Sequence, residues 1–270
     1  MAYRCEAVSI DGLVQQIAVS YLRHGYLYYV TGMLPDGKDP HALDAKLIDR
    51  YGIAISERER ARRKLSGLAN MQYIRHGQFF VLLCTEGRHV FREIERDVIR
   101  DAREVPIRIP KEARARCKKH YASGPKNFEG YAVSYRRGHY QRKTAEEKSQ
   151  YREERASGLR PPRGTKDEQW RSRVEIERRT YKRLRAYFLN IAGQHSVEHL
   201  ARELQAIPYQ PYAPIRQQLL GLVRDINVVR RVAGRKDEVP YEALNLKRLQ
   251  IQPFVSSGSV ERDEAANSGA

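Results

Sequence analysis

Between Gly138 and Gln169 the chain carries almost no aliphatic side chain apart from Leu159. Such a stretch cannot bury enough apolar surface to offset the entropy of ordering it. It reads as a solvated, largely disordered insertion with a transient helix near Ala145 to Ala156. Period-two runs flank it. Tyr131, Val133 and Tyr135 alternate before it, and Trp170, Ser172, Val174 and Ile176 alternate with Arg171, Arg173 and Glu175 after it. That pattern predicts a hairpin whose turn carries the insertion, not a linker between independent domains. The expected plan is a basic α+β domain over 1–137, the insertion over 138–169, a strand and C-terminal helices over 170–254, and a disordered polar tail over 255–270.

Upstream, Gly25 to Leu34 is rich in aromatic and β-branched residues and closes on Pro35-Asp36-Gly37, which predicts a strand. Asp39-Pro40 then supplies an N-cap and a proline at the first helical position. A helix over 40–51 follows, with Leu43, Leu47 and Ile48 as its stripe. Ser56 opens a second helix, stopped by Gly67, with Glu57 and Glu59 early and Arg62, Arg63 and Lys64 late, as the helix dipole favours. Two apolar runs around Arg75-His76-Gly77 predict a β-hairpin over 71–84. A helix over 89–103 is expected to bury Val90, Phe91, Ile94, Val98 and Ile99, and a short strand to cover 106–109. Lys111 to His120 is a basic segment, read as one helix.

The last third is helical. Thr180 is the expected cap of a helix bearing Tyr181, Leu184, Phe188 and Ile191, and Gly193 ends it. Ser196 caps a short helix, and Ile215 to Val229 form a sustained stripe stopped by Gly234. The expected fold class is therefore α+β: a small antiparallel sheet with packed helices, winged-helix-like or ferredoxin-like, plus a helical C-terminal region.

Charge decides the function class. Lys and Arg number 50 against 33 Asp and Glu, a net +17 with a pI near 9.9. Such an excess repels itself and becomes favourable beside a polyanion, because each phosphate contact releases condensed counterions. Arginine predominates, and its planar fork suits phosphate and base edges. The expected partner is nucleic acid, with DNA favoured over RNA. Three widely spaced cysteines, Cys5, Cys84 and Cys117, make neither a disulfide framework nor a zinc knuckle and fit a reducing compartment. No long apolar run exists, so a cytoplasmic protein without membrane spans is expected, and no cofactor or metal.

Three groups of cations are the candidate contacts. In the winged-helix order Arg58, Arg62, Arg63 and Lys64 face phosphates or the major groove, and Arg75 and His76 sit at the wing tip. Arg136 and Arg137 close the strand before the insertion, and Arg178, Lys182 and Arg185 line the next helix. Intrahelical pairs such as Glu59–Arg63 compete for part of that charge. In the ferredoxin-like order an exposed sheet could stack bases on Tyr26, Tyr28, Tyr29, Phe79 and Phe80.

That second order is shared with HUH nucleases, which need two histidines one residue apart on a central strand and a tyrosine on a later helix. The strand Phe79 to Cys84 has no histidine, and His76 and His89 lie at its two ends, so Tyr181 has no metal site to serve. Neither a phosphate-binding glycine loop ending in Gly-Lys-Ser/Thr nor a Gly-x-Ser-x-Gly elbow occurs. His195 and His199 lack the glutamate of a metalloprotease helix, and Glu93, Asp97 and Asp101 stand among arginines as salt-bridge partners. No catalytic residue is assigned. The rival readings are a nicking or transposase-type enzyme with a degenerate metal site, and an RNA-binding or protein-docking module.

The strings Tyr28-Tyr29-Val30, Gly37-Lys38-Asp39-Pro40, Gly67-Leu68-Ala69-Asn70, Tyr73-Ile74-Arg75-His76, Phe80-Val81-Leu82-Leu83, Gly130-Tyr131 and Tyr187-Phe188 resemble a family of uncharacterised bacterial proteins. The resemblance covers most of the chain except the insertion and tail. It implies a bacterial, mobile-element or plasmid-type context and transfers no site.

Overall fold

The computed structural model describes residues 3–110, 130–138, 145–158 and 168–254. The basic segment 111–120, residues 139–144 and 159–167 of the insertion, and the tail from Val255 lie outside the described residues. Within them the chain is α+β, with two small antiparallel sheets and a helical C-terminal region.

An N-terminal helix that sequence reasoning did not anticipate comes first. Ser9 caps α1 (Ile10–Gln15), which runs on as a π-helix (Gln16–Tyr21) and a 3-10 turn (Leu22–His24). Gly25, at φ 88°, ends it in the left-handed conformation, so the run beginning at Gly25 is first a helix terminus and only then a strand. That strand is β1 (Tyr28–Met33).

Asp39 caps α2 (Pro40–Arg50) by accepting from the amides of His41 and Ala42, as expected, and Ser56 caps α3 (Glu57–Leu65) through the Glu59 amide. The hairpin β2 (Met71–His76) and β3 (Phe79–Cys84) turns on Gly77-Gln78, with Gly77 at φ 56°. The expected helix over 89–103 shrinks to α4 (Val90–Ile94), capped by the His89 imidazole. Only Phe91 of its apolar set is fully buried, and Val90, Ile94 and Val98 are exposed. The chain leaves the helix because Arg100 and Asp101 form β4, an edge strand on β1.

The first sheet has the order β2-β3-β1-β4, antiparallel throughout. The strand order is that of a ferredoxin-like sheet, but two helices, α2 and α3, stand between β1 and β2 where that fold has one. The hairpin is continuous with the sheet, since β3 pairs with β1 as well as β2, and α1 packs on the face opposite α2 and α4. The open edge of β2 is closed by the N-terminal segment, with Ala7 and Cys5 hydrogen-bonded to the Arg75 backbone at 2.7 Å.

The second sheet joins β5 (Ile107–Pro110), β6 (Gly130–Arg137) and β7 (Trp170–Ile176). The runs on either side of the insertion do pair in full register, from Tyr131 opposite Ile176 to Arg137 opposite Trp170. Inside the insertion the helix α5 (Ala145–Ala156) stands where a transient helix was expected. The backbone of Ala102 links the sheets, donating to Leu27 and accepting from Tyr135.

After β7 come α6 (Arg178–Ala192), α7 (Val197–Gln205) and α8 (Ala213–Val232), and then a 3-10 turn (Tyr241–Ala243). Thr180 is not the cap of α6; the Glu177 carboxylate accepts from the Arg179 and Thr180 amides instead. An acidic cap suits a first turn that holds two arginines. The buried guanidinium of Arg230 on α8 closes the other end of α6, donating to the carbonyls of Ala192 and His195.

Period-two alternation sends the two faces of the first sheet into two cores. Met71, Tyr73, Leu82 and Cys84 pack with Tyr51, Ile53 and Phe91 on the side of α2 and α4. Ile74, Phe79, Val81, Leu83 and Tyr29 face α1, the second sheet and the C-terminal helices in one larger core running from Ala7 to Leu244.

Candidate nucleic-acid interface

Because both faces of the first sheet are covered, its aromatic side chains are not a stacking platform. Tyr26, Tyr29 and Phe79 are buried. The half-buried Phe80 lies over Gly32, where an added Cβ would meet its ring at 2.3 Å. Tyr28 lies beneath the Arg92 guanidinium, 3.9 Å from the ring centroid, and its hydroxyl accepts from Arg103 at 3.0 Å.

The wing-tip placement of Arg75 is also corrected. Its side chain is 3% exposed, and Nε and Nη2 reach the Asp44 carboxylate at 3.0–3.1 Å. Asp44 accepts in addition from the Tyr73 hydroxyl at 2.5 Å, while Arg75 Nη1 reaches Glu6 and the Gly77 carbonyl. Asp44 is the one buried residue of α2. A cation so enclosed serves the fold. His76 does stand beside the turn, half-buried, with Nδ1 on the Ala7 carbonyl at 2.8 Å.

On α3, Arg58, Arg62 and Lys64 are exposed and Arg63 is partly covered. Glu59 pairs with Arg62 at 3.0 Å and stands 4.0 Å from Arg63. The helix buries no residue. Its anchor is Arg60, which sequence reasoning passed over: Nη1 donates to the Met71 carbonyl and Nη2 to that of Ile53, both at 2.8 Å. One arginine pins α3 so that its neighbours face solvent.

On α6, Arg178, Lys182 and Arg185 are exposed. They recur at i, i+4 and i+7 and share one stripe, which flanks the face that buries Leu184 and Phe188. Arg185 is partly neutralised by Asp225 of α8 at 2.6 Å. Tyr181, the helix tyrosine, donates to the Gln218 carbonyl at 2.9 Å, and burial raises its pKa. Its hydroxyl is part of the packing of α6 on α8.

The densest juxtaposition is in the second sheet. Arg136 stands directly opposite Arg171 on the outer face, with Arg173 two residues along β7 and Arg108 on β5 on that face. Arg173 pairs with Glu175 at 2.9 Å. Arg137 points to the other face, its guanidinium 5.3 Å from the Trp170 ring centroid. Directly opposed cations have Cβ atoms about 5 Å apart and repel each other. Arg171 and Arg173 were legible as alternating residues of a strand; only the register of β6 on β7 shows that they meet Arg136. Arg171 to Arg178 spans seven residues, six of them strand or cap, so the two cation groups are separated by roughly 20 Å along β7.

Among the described residues no group of three or more His, Cys, Asp or Glu is placed to hold a metal ion, and no helix is long and apolar enough to cross a membrane. The rings of His195 and His199 stack 4.3 Å apart, and the His199 amide donates to the Ser196 cap. A cleft of about 630 Å³ beside Asp44 is lined by Cys5, Glu6, His41 and His76. Burial, with Asp44 adjacent, pushes the Cys5 thiol up to about 12, which leaves it a poor nucleophile. Compared with protein-family models, curated proteins and solved structures, the chain matches none of them.

Proposed function

We propose that this chain binds nucleic acid, DNA in the first place, through the phosphate backbone. The observation that carries the reading is Arg136 opposite Arg171 on an antiparallel ladder, with Arg108 and Arg173 on the same face. Like charges opposed in this way repel across the ladder, and a bound phosphate would relieve that repulsion. The stripe of α6 and the solvent face of α3 add further exposed cations. Arg75 is no part of it. A role in replication, transposition or regulation of a mobile element fits such a protein, and the reading needs no catalytic group.

Binding of a labelled duplex, followed by fluorescence anisotropy between about 50 and 200 mM salt, tests it. The affinity is expected to fall steeply along that series. Replacing Arg136 and Arg171 by glutamine is expected to flatten the plot of log affinity against log salt by about 2 if each meets one phosphate. Absence of binding at low salt, or binding indifferent to salt, rules the phosphate reading out.

A further inference from the structure

We propose that Trp170 and Tyr135 form a stacking site for an unpaired base, so that single-stranded nucleic acid is the form held at this end of the second sheet. The inference rests on the reading above and adds the class of ligand. Its origin is the alternation of β6 and β7. The inward row of β7 runs Ile176, Val174, Ser172, Trp170, and that of β6 runs Tyr131, Val133, Tyr135, Arg137. Tyr131, Val133, Val174 and Ile176 are fully buried. Ser172 is spent on the carbonyl of Ala18 in the π-helix. Beyond that rung the core ends while the row continues, so Trp170 emerges 40% exposed.

Trp170 does not stand alone there. Its ring lies nearly parallel to that of Tyr135, at 15° and 5.8 Å between centroids, and the Arg137 guanidinium lies 5.3 Å from its own centroid. A parallel aromatic pair fixes the orientation of the indole, which is what a base needs to stack on. Arginine beside it can stack on the same base or reach its phosphate. Arg136 and Arg171 stand one rung away on the opposite face, where the neighbouring phosphates of a single strand would pass. A duplex keeps its bases paired and offers this site no open face.

Trp170 is the single tryptophan of the chain, so its fluorescence reports on this site alone. The full chain would be titrated with a short oligothymidylate, with oligouridylate and with a blunt duplex of equal length, at one salt concentration. Tryptophan emission and anisotropy of the labelled nucleic acid would be read together. Both single strands are expected to quench the emission with the midpoint of their anisotropy curves, and the duplex to bind without quenching. Trp170→Leu is expected to weaken single-strand binding roughly tenfold or more while leaving duplex binding unchanged, and Trp170→Phe to retain most of it. A residue that only stabilises the hairpin would shift both ligands together. Single strands that bind without altering the emission, or a Trp170→Leu chain that binds them as tightly as the parent, would overturn the stacking site and leave the phosphate reading standing. No anisotropy change with any of the three ligands would overturn both.

Discussion

Replacing Asp44 by leucine takes the acceptor away from a guanidinium and a hydroxyl that have little access to water. Arg75 would keep Glu6, whose side chain is 52% exposed, and the Gly77 carbonyl, both through Nη1. Its Nε and Nη2, now on Asp44, would be left without that acceptor, as would the Tyr73 hydroxyl. Breaking a buried ion pair from one side costs about 3–5 kcal/mol. Glu6 holds the loss near the lower bound, and the orphaned hydroxyl adds about 1 kcal/mol. The sum, about 4 kcal/mol, corresponds to a fall in Tm of roughly 10 °C for a chain of this size. Differential scanning calorimetry of the parent, Asp44→Leu, Arg75→Met and the double variant would give the full cycle. The double variant is expected to recover most of the loss, because apolar groups of similar volume replace the pair at little net change. It is also expected to bind nucleic acid like the parent, since the Arg75 guanidinium does not reach solvent. A single-variant loss below about 1 kcal/mol, simple additivity in the double, or a selective loss of binding without a loss of Tm would each refute the argument.

Two further outcomes can be checked independently. The Nδ1 of His89 accepts from the Phe91 amide, which only a neutral ring can do, and burial with the Arg63 cation nearby lowers its pKa from the usual 6.5. With the folded pKa below the unfolded one, this cap contributes its stability above pH 6.5 and loses it as pH falls through the lowered value. Tm is therefore expected to drop from pH 7 to pH 5 by more in the parent than in His89→Asn, which caps without titrating; a constant difference between the two chains would contradict this. Arg60→Met removes charged donors from the Met71 and Ile53 carbonyls, at about 1.5–3 kcal/mol per bond. Hydrogen exchange over 57–65 is expected to accelerate while β3 stays protected, and unaltered protection of α3 would show that Arg60 is not its anchor.

Local rules were legible wherever the deciding atoms lie close in sequence. Asp39, Ser56 and Ser196 cap the helices they were expected to cap, and alternation located β6 and β7 across the insertion. Expectations failed where a distant partner decides. Val90 to Ile99 has a helical apolar pattern, yet β1 claims Arg100 and Asp101 as its edge strand. Thr180 has the chemistry of a cap, but Glu177 offers a charged acceptor three residues earlier to a first turn of arginines. Arg75 beside a turn reads as a surface cation until α2 brings Asp44 against it from 31 residues away.

The same division applies to the candidate interface. Composition alone established the surplus of 17 positive charges, on which the expectation of a polyanionic partner rests. Helical spacing alone put Arg178, Lys182 and Arg185 on one stripe. Only the tertiary structure decided which cations are available, because burial and pairing depend on what packs against each one. It withdrew Arg75 and Arg60 into structural contacts, covered both faces of the first sheet, and through the register of β6 on β7 set Arg136 against Arg171 and left Trp170 uncovered where the core stops.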